Sequence, residues 1–332
     1  MSAAAKHVLL LSPGSKVALT RVLAAATAAR ETRLLCWESD PYSPAAEHCA
    51  ARGPGGAIED EAAAERLLAW AREAGVGMIV PSRHDDLPTL ARLRERFAAN
   101  GILLAVSASE TIATCHDKLA MHAWLESLGF PVPGQCTVAQ LPSHALAGCF
   151  PLVAKDPRGS GSRGVRVCRR PADLADLPGS WIIQTCAPGI EYTVNTYVAR
   201  DGRCLAEIPH ERILTGDGEV VRARTARIPA LMDPARRISE SLPGARGPLN
   251  IQMFWEASTQ RVTVIEINPR FGGGYPLAHE AGGRFAEWLL AEYLDARILP
   301  RLEDWEDGLM MTRYREARFF PRVGDSSSQS RG

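Results

Sequence analysis

Two stretches decide the fold: Leu249–Trp255, which reads LNIQMFW, and Arg261–Asn268, which reads RVTVIEIN. Both stretches largely alternate apolar and polar residues with the period of two that is typical of a half-buried strand. The polar residues between them predict a turn around Thr259. The sequence therefore predicts an antiparallel hairpin with one polar and one apolar face.

The polar face of this hairpin carries oxygen ligands. Folding about Thr259 places Gln252 opposite Glu266 and Asn250 opposite Asn268. The other face is expected to hold Ile251, Met253, Ile265 and Ile267. Neighbours two positions apart are about 6.5–7 Å apart, which lets Glu266 and Asn268 share hard cations such as Mg²⁺. A polar face that only meets water is the alternative interpretation.

The residues after the hairpin favour a binding site over a solvated face. They read PRFGGG, Pro269–Gly274, and place the guanidinium of Arg270 and bare glycine backbone beside the polar face. That face is also rich in carboxamides and not in charges. We therefore interpret it as a candidate metal site.

Two further segments have the composition of a phosphate and nucleotide site. Pro151–Val165 reads as a strand that ends at Lys155, a Gly/Ser-rich loop and a second strand. Such a loop offers backbone N–H groups to a polyphosphate, although it equally fits a mobile turn. In Trp181–Tyr192 an apolar strand meets a Pro-Gly turn that could expose backbone groups to a base, with Glu191 placed to reach a ribose. An ordinary hairpin with an exposed glutamate is the alternative.

Lysine is scarce in this chain. Of the 38 basic residues only four are lysines, namely Lys6, Lys16, Lys118 and Lys155. A compact ammonium fits between phosphate oxygens where a planar guanidinium does not, so the two interior lysines, Lys118 and Lys155, are candidate phosphate ligands. Lys6 and Lys16 read as exposed residues that persist by chance.

Composition excludes several classes. The 332 residues hold 38 basic and 38 acidic side chains, and a net charge of +0 argues against a nucleic-acid or membrane-surface protein. No apolar run reaches the length of about 18 residues that a membrane helix needs. The eight cysteines form no CxxC pair. We expect a soluble cytoplasmic protein with reduced thiols.

The N-terminal third alternates strands and helices. This pattern, which includes one helix over Asp85–Ala99, predicts βαβ units and a doubly wound parallel sheet. The turn Ser12–Ser15 lacks the GxGxxG spacing, so Glu38 or Asp40 is only a weak candidate for a ribose ligand. From Thr111 onward strands separated by Gly and Asp turns predict an α+β unit.

In combination these segments resemble the ATP-grasp superfamily, and within it the carbamoyl-phosphate-synthase-like branch of single-unit ligases. The resemblance runs from Val8 to about Phe320. The motifs that carry it are Ile79–Pro81 with Asp85-Asp86, Asp117-Lys118, Lys155 with Gly159–Gly164, Glu191–Val194, Gly218–Val220, Asn250–Gln252 and Glu266–Gly274.

The resemblance implies a domain plan. Residues 1–112 would form an α/β, doubly wound parallel-sheet domain, the pre-ATP-grasp domain. An α+β ATP-grasp domain would follow, with a small lobe over 113–180 and a C-terminal lobe with the metal site over 181–322. Residues 323–332 are polar and unpatterned, and we expect a disordered tail there.

It also implies an activity, namely an ATP-dependent, ADP-producing ligase that forms a carbon–nitrogen bond between a small carboxylate, such as an amino acid, and an amine. The carboxylate would attack ATP to give an acylphosphate that the amine captures. The expected partners are these small molecules, without nucleic acid or membrane, and a homodimer is compatible with them. A nucleotide-binding oxidoreductase and a non-catalytic ATP-binding protein are the alternatives, and the missing GxGxxG counts against the first.

The family's site residues carry over position by position. Lys118 and Lys155 would contact phosphates, and Arg270 together with Lys155 would act on the transferring phosphoryl group. The remaining ligands of ATP would be the loop residues Gly159, Ser160, Gly161, Ser162 and Gly164, the backbone of Thr185 and Ala187 for adenine, and Glu191 for ribose. Two Mg²⁺ ions, or Mn²⁺ in their place, would be held by Gln252, Glu266 and Asn268. Thr185 stands where the family often has an acidic residue, and Asn195 where aspartate is common.

The substrate is left open. Arg212, Arg222 and Arg224 are candidate clamps for a carboxylate because guanidinium groups bind carboxylates bidentately, although an exposed basic strand edge explains them equally well. Gly273 and Gly274 would line the acceptor pocket. The candidate general bases, each also compatible with a structural role, are His84, Asp85, His210 and His279.

Overall fold

The N-terminal part of the chain forms a parallel sheet. The computed structural model describes residues 6–157, 159, 164–216 and 218–320. The parallel sheet has five strands in the order β3-β2-β1-β4-β5. These strands are β1 (His7–Leu11), β2 (Leu34–Trp37), β3 (Ala51–Gly53), β4 (Val76–Val80) and β5 (Leu103–Leu104). The order changes direction between β1 and β4, which makes this pair the topological switch point of the sheet.

Helices cover both faces of this sheet, as a doubly wound fold requires. Val8 and Leu10 of β1 belong to one apolar cluster, and Leu9 and Leu11 belong to another on the opposite face. The helices are α1 (Val17–Ala28), α2 (Glu61–Glu73), α3 (Leu87–Arg92), α4 (Arg94–Ala99) and α5 (Ser109–His116). The prediction of one helix over Asp85–Ala99 was wrong, because Leu93 leaves the helical region (φ −97°, ψ 6°) and separates α3 from α4.

A small antiparallel sheet follows. After α6 (Lys118–Ser127), its four strands take the order β6-β9-β7-β8. They are β6 (Gln135–Thr137), β7 (Leu152–Lys155), β8 (Val165–Cys168) and β9 (Ile182–Thr185). Lys155 is the last residue of β7, so its side chain lies at the end of this strand.

The rest of the described chain is organised around an antiparallel sheet of six strands. Their order is β14-β13-β10-β11-β12-β15. The strands are β10 (Ile190–Val198), β11 (Cys204–Gly216), β12 (Glu219–Thr225), β13 (Gly247–Glu256), β14 (Arg261–Asn268) and β15 (Met310–Thr312). The helices are α7 (Pro229–Ser241), α8 (Tyr275–Glu280) and α9 (Phe285–Leu294).

The predicted pairing of the β13–β14 hairpin is confirmed at its polar end, where Gln252 pairs with Glu266 and Asn250 with Asn268. The register then shifts by one residue, because Met253 pairs with Val264 and leaves Ile265 as the extra residue of a bulge. The placement of Ile265 among the core residues was therefore wrong. Ile251, Met253 and Ile267 are fully buried, whereas Ile265 is half-buried and faces a cavity.

One apolar core joins the N-terminal sheet to the C-terminal part of the chain. Val8 and Leu23 share a cluster with Phe285, Leu289 and Trp305. This burial packs one face of the parallel sheet, together with α1, against α9 and β11 of the six-stranded sheet. The predicted fold class, a doubly wound parallel sheet followed by an α+β unit, is confirmed. The boundaries at residues 112, 180 and 322 stay predictions, and the predicted tail over 323–332 lies outside the described residues.

Two properties of the described residues bear on the compositional expectations. No helix among them is long and apolar enough to cross a membrane. All eight cysteines are free thiols, and Cys36, Cys115, Cys136, Cys168 and Cys204 are buried.

The bulge predicts that neighbouring isoleucines of β14 differ in their contribution to stability. Ile267→Ala removes a fully buried side chain and should lower the free energy of unfolding by about 2–5 kcal/mol. Ile265→Ala, the matched control at the bulge, should cost distinctly less, because that side chain is already half-exposed. Urea denaturation of both variants measures the difference, and equal losses would contradict the bulged arrangement.

Candidate nucleotide site

A cavity of about 380 Å³ lies between the four-stranded sheet and the β13–β14 hairpin. It has an apolar wall and a charged end, which together suit a ligand with a flat apolar part and a polyanionic tail. The apolar wall is formed by Pro133, Val153, Val165, Val167, Phe254 and Ile265. The charged and polar lining consists of Lys118, Lys155, Asp156, Gln184, Thr185, Glu191, Arg212, Thr215, Gln252 and Glu266.

The two interior lysines meet at the charged end of the cavity. Asp117 caps α6, since its carboxylate accepts from the N–H groups of Leu119 and Ala120, and this holds Lys118 at the start of the helix. The Nζ of Lys118 donates to the carbonyl of Gly159 at 2.6 Å and lies 3.9 Å from Oε1 of Glu266. Burial lowers the pKa of Lys155, and Glu266 opposes that shift.

The Gly/Ser-rich loop contributes Gly159 to the cavity lining. Gly164 ends the loop with φ +73°, a left-handed conformation that glycine adopts without strain. The other predicted loop ligands, Ser160, Gly161 and Ser162, lie outside the described residues.

The segment after β9 lines the opposite end of the cavity. Thr185, Cys186 and Ala187 all contribute to it. The N–H of Thr185 donates to the carbonyl of Gly134 at 3.0 Å and is therefore not free to read a base. Among the described residues the N–H of Ala187 has no hydrogen-bond partner, which leaves it available to a ligand.

Arg212, one of the predicted clamp residues, lies in this cavity. Its Nε is 3.0 Å from Oε1 of Glu191, because the neighbouring residues Tyr192 of β10 and Glu211 of β11 pair with each other. Arg222 and Arg224 are exposed on β12, outside the cavity lining, and Arg224 is 2.9 Å from Glu211. The three predicted clamp residues are therefore not brought together.

The polar face of the hairpin is only partly in the cavity. Gln252 and Glu266 line it, while Asn268 lies two residues beyond Glu266 on the same strand and is buried. The Nδ2 of Asn250 donates to the carbonyls of Asn268 (3.3 Å) and Arg270 (3.1 Å) and so fixes the turn that follows.

This donor set fits Mg²⁺ that arrives with a polyphosphate. It offers one carboxylate and two carboxamides, and Mg²⁺ commonly binds one or two carboxylates and completes its shell with water and phosphate oxygens. The described residues contain no cluster of three histidines, cysteines or carboxylates that would hold a metal ion without such a ligand.

Packing explains why glycines follow Arg270. A Cβ on Gly272 would lie 2.9 Å from the amide carbon of Asn250, and a Cβ on Gly274 would overlap the ring of His210. Gly273 faces the carboxylate of Glu219, and the guanidinium of Arg313 donates to the carbonyl of Gly273. Gly273 and Gly274 thus carry the backbone past these side chains, and their role in an acceptor pocket stays a prediction.

Arg270 lies at the end of the polar face. Its Nη1 donates to the carbonyl of Phe271 at 3.0 Å, while its buried Nε has no partner among the described residues. Glu266, Glu219 and Asp85 surround the guanidinium, and burial lowers its pKa.

Two candidate general bases have structural partners. The Nδ2 of Asn195 donates to Nδ1 of His210 at 3.1 Å, and burial lowers the pKa of His210 to about 3. Asn195 thus orients a buried imidazole and lies away from the cavity lining. His279 is 2.7 Å from Nη1 of Arg284.

The other two lie at the carboxyl edge of the N-terminal sheet. His84 stacks on His116, with ring centroids 4.7 Å apart. Asp85 is 3.7 Å from Arg83. Both candidates stay predictions.

Sequence reasoning missed the apolar wall and the polar support behind it. The Nε2 of His122 lies 3.0 Å from the carbonyl of Ile265, so this nitrogen carries the proton and the bulge is held in place. The Nδ1 of His122 then accepts from Nε2 of Gln184 at 3.3 Å. Alternation along β7 and β8 could have indicated the wall, but the bulge left no signal in the sequence.

Lys16 was predicted to be an exposed residue that persists by chance, and this was wrong. It is half-buried and its Nζ donates to Oγ of Ser82 at 3.3 Å. Lys6 is exposed and donates to the carbonyl of Gly101, as expected of a surface residue.

Comparison with known families gives two matches. Residues 115–274 match the family described as ATP-grasp domain, and residues 8–105 match the family described as PylC-like, N-terminal domain. The predicted superfamily is thereby confirmed.

Two curated proteins are related in sequence. The uncharacterized protein y4rH of Sinorhizobium fredii is 33% identical over 187 residues, which are 49% of this chain and 38% of that protein. The N5-carboxyaminoimidazole ribonucleotide synthase of Synechocystis is 34% identical over 108 residues, 31% of this chain and 26% of that enzyme. The chain thus spans less than half the length of either relative.

Solved structures share the fold over most of the chain. The N5-carboxyaminoimidazole ribonucleotide synthetase of Thermotoga maritima has a TM-score of 0.68 at 20% identity, covering 90% of this chain and 78% of that one. The biotin carboxylase of Campylobacter jejuni, solved as a complex with β,γ-ATP, has a TM-score of 0.73 at 16% identity, covering 91% and 74%.

The glycine turn predicts a position-specific effect on stability. Gly274→Ala adds a Cβ that meets the buried His210 ring and should lower the free energy of unfolding by about 1–3 kcal/mol. Gly273→Ala is the matched control, since its Cβ would lie 3.5 Å from Glu219, an ordinary contact. Thermal and urea unfolding compare the two variants. The packing argument fails if Gly273→Ala is as costly as Gly274→Ala.

Proposed function

Because residues 115–274 form an ATP-grasp domain, we propose that the protein is an ATP-dependent, ADP-producing ligase that joins a small carboxylate to an amine. The observation that carries the proposal is the cavity in which Lys118 and Lys155 face Glu266 and Gln252. Phosphoryl transfer requires mainly positioning and charge neutralisation, and this is the chemistry that such a set of residues supplies.

The proposed orientation of ATP follows from the two ends of the cavity. Adenine lies against the apolar wall with the N–H of Ala187 at its edge, and Glu191 reaches the ribose. The ion pair with Arg212 holds the Glu191 carboxylate in place. The triphosphate extends toward Lys118, Lys155 and the loop from Gly159 to Gly164.

The residues around Glu266 define the proposed reaction. Gln252, Glu266 and Asn268 would hold Mg²⁺, or Mn²⁺, and the metal would supply charge neutralisation at the phosphates. Arg270 and Lys155 stabilise the charge on the transferring phosphoryl group. The substrate carboxylate attacks the γ-phosphorus, ADP leaves, and the amine displaces phosphate from the resulting acylphosphate.

We further propose that the carboxylate belongs to an amino acid or another small acid, and that the protein works in the cytoplasm, alone or as a homodimer. The relative from Synechocystis is named as an N5-carboxyaminoimidazole ribonucleotide synthase. Its name supports ligase chemistry for this chain without fixing the substrate.

The structure weakens the oxidoreductase alternative. The carboxylate of Glu38, the candidate ribose ligand of the N-terminal sheet, accepts from the N–H of Gly14 at 2.9 Å and of Asp40 at 3.0 Å. It is therefore occupied by its own loop. A non-catalytic ATP-binding protein remains a second outcome that an ADP-release assay separates from the ligase.

The polar face of the β13–β14 hairpin predicts a Mg²⁺-dependent interaction with ATP. Calorimetry should show binding of Mg·ATP and none of NAD(P), and a screen of pooled amino acids and other carboxylates should release ADP.

Glu266→Gln preserves the shape of the side chain but removes the carboxylate, so ADP release should fall by several orders of magnitude. The control is Glu256→Gln, at the far end of β13, where Thr259 donates to the carboxylate. Ordinary turnover of Glu266→Gln at millimolar Mg²⁺, or binding of NAD(P) alone, would falsify the proposal.

Lys155 is expected to require an ammonium group. In Lys155→Arg the charge remains but the broad guanidinium no longer fits between phosphate oxygens, so turnover should fall by about 100-fold. Lys6→Arg, at an exposed lysine of the N-terminal domain, should leave turnover unchanged. Steady-state ADP release measures both variants. Near-normal turnover of Lys155→Arg would remove Lys155 from the phosphate site.

A further inference from the structure

Lys16 stands at the switch point of the N-terminal sheet. In open α/β sheets, ligands bind in the crevice outside the carboxyl ends of the strands at the point where the strand order reverses. Here that point lies between β1 and β4. Lys16 follows β1, Ser82 follows β4, and the 3.3 Å hydrogen bond from Nζ of Lys16 to Oγ of Ser82 joins the two loops at this switch point.

Ser82 holds this lysine in a fixed place. Its hydroxyl lies 2.8 Å from the carbonyl of Leu11 and 2.9 Å from that of Ser12, and it is buried. The hydroxyl therefore donates to the end of β1 and accepts from Lys16. An ammonium that is anchored in this way is preorganised for a ligand in the crevice.

The charges that face Lys16 come from two domains. Arg270 and Glu219 belong to the C-terminal part, and Arg83 and Asp86 to the N-terminal domain. Burial and the neighbouring Arg270 lower the pKa of Lys16. Arg270 and Arg83 thus lie near the partly buried ammonium of Lys16.

The acidic groups nearby have other partners. Glu219 is 2.7 Å from Nη1 of Arg313. Asp86 accepts from the N–H of Ile58 at 2.9 Å and is 3.9 Å from Arg83. Asp85 is 3.7 Å from Arg83. The Nζ of Lys16, by contrast, donates to the hydroxyl of Ser82 and forms no ion pair with a carboxylate of the described residues.

Unused hydrogen-bonding groups lie in the same region. The Nε of Arg270 is buried and has no partner within the described part of the chain, and the same holds for Nδ1 of His84 and Nδ1 of His116. His84 is faced by Arg270, His116, Asp85 and Lys118. This region thus connects the switch point to the lysine at the phosphate end of the cavity.

We propose that Lys16 is a specificity-determining residue which, with Arg83 and Arg270, binds an anionic group of the ligase's second substrate. A carboxylate and a phosphate share the required chemistry, since both accept charge-assisted hydrogen bonds from ammonium and guanidinium groups. The inference rests on the proposed function, because it places this substrate beside the phosphate end of the nucleotide cavity. A substrate whose single anionic group is the reacting carboxylate is not recognised here.

The test is calorimetry on the intact protein saturated with Mg²⁺ and the non-hydrolysable analogue AMP-PNP. The probes are alanine, lysine, aspartate, glutamate, succinate and ribose 5-phosphate. Binding of the dicarboxylic compounds assigns the site to a carboxylate, and binding of ribose 5-phosphate assigns it to a phosphate. Lys16→Met should weaken the anion that binds by about tenfold or more, the loss expected for one charge-assisted hydrogen bond. Lys16→Arg should restore part of that affinity.

Lys6→Met is the matched control, because Lys6 precedes β1 and binds Gly101 at the opposite end of the strand. It should leave the anion affinity unchanged, and AMP-PNP affinity reports whether each variant is folded. The inference is overturned if neither a dicarboxylic probe nor ribose 5-phosphate binds the nucleotide-loaded wild type, or if Lys16→Met binds that probe as tightly as Lys6→Met does. A failure of AMP-PNP binding in the wild type would instead overturn the proposed function.

Discussion

The carboxylate of Glu266 faces Lys118, Lys155 and Arg270. The architecture of the site depends on the attraction between this carboxylate and the three cations. Glu191 also faces Lys155, and Glu219 and Asp85 also face Arg270, so Glu266 is one of several carboxylates that share these partly buried cations. In the proposed function, the phosphates of the nucleotide and their metal join this network of charges. The proposed function therefore depends on the electrostatics around Glu266 of β14. The fold brings the three cations to this carboxylate from separate elements.

The β13–β14 hairpin positions Glu266 and the residues around it. Pairing of Gln252 with Glu266 fixes the polar face, and the bulge at Ile265 turns one additional apolar side chain toward the cavity. His122 stabilises the bulge through the carbonyl of Ile265, and Asn250 holds the turn after the strand. A hairpin of regular register would give the same polar face but would lack part of the apolar wall.

The shared apolar core gives the N-terminal domain a part in the site. Because Val8 of the parallel sheet and Phe285 of α9 belong to one cluster, the switch point of that sheet is held against Arg270. Three of the chain's four lysines thus lie around one region, although Lys16 is more than 100 residues from the others along the chain. In the proposed function, this arrangement gives the N-terminal domain a part in substrate choice.

The sequence by itself determined the fold class and the pairing of Gln252 with Glu266, and it singled out Lys118 and Lys155, which both line the cavity. These features depend on local periodicity, turn residues and short motifs, which a linear pattern records. Only the tertiary structure decided that Arg212 pairs with Glu191, that Arg222 and Arg224 lie outside the cavity lining, that Ile265 lines the cavity and that Lys16 is half-buried near Arg270. Each of these depends on a strand register, a bulge or the packing of one domain on another. Such contacts join residues that are distant in sequence, and no local pattern specifies them.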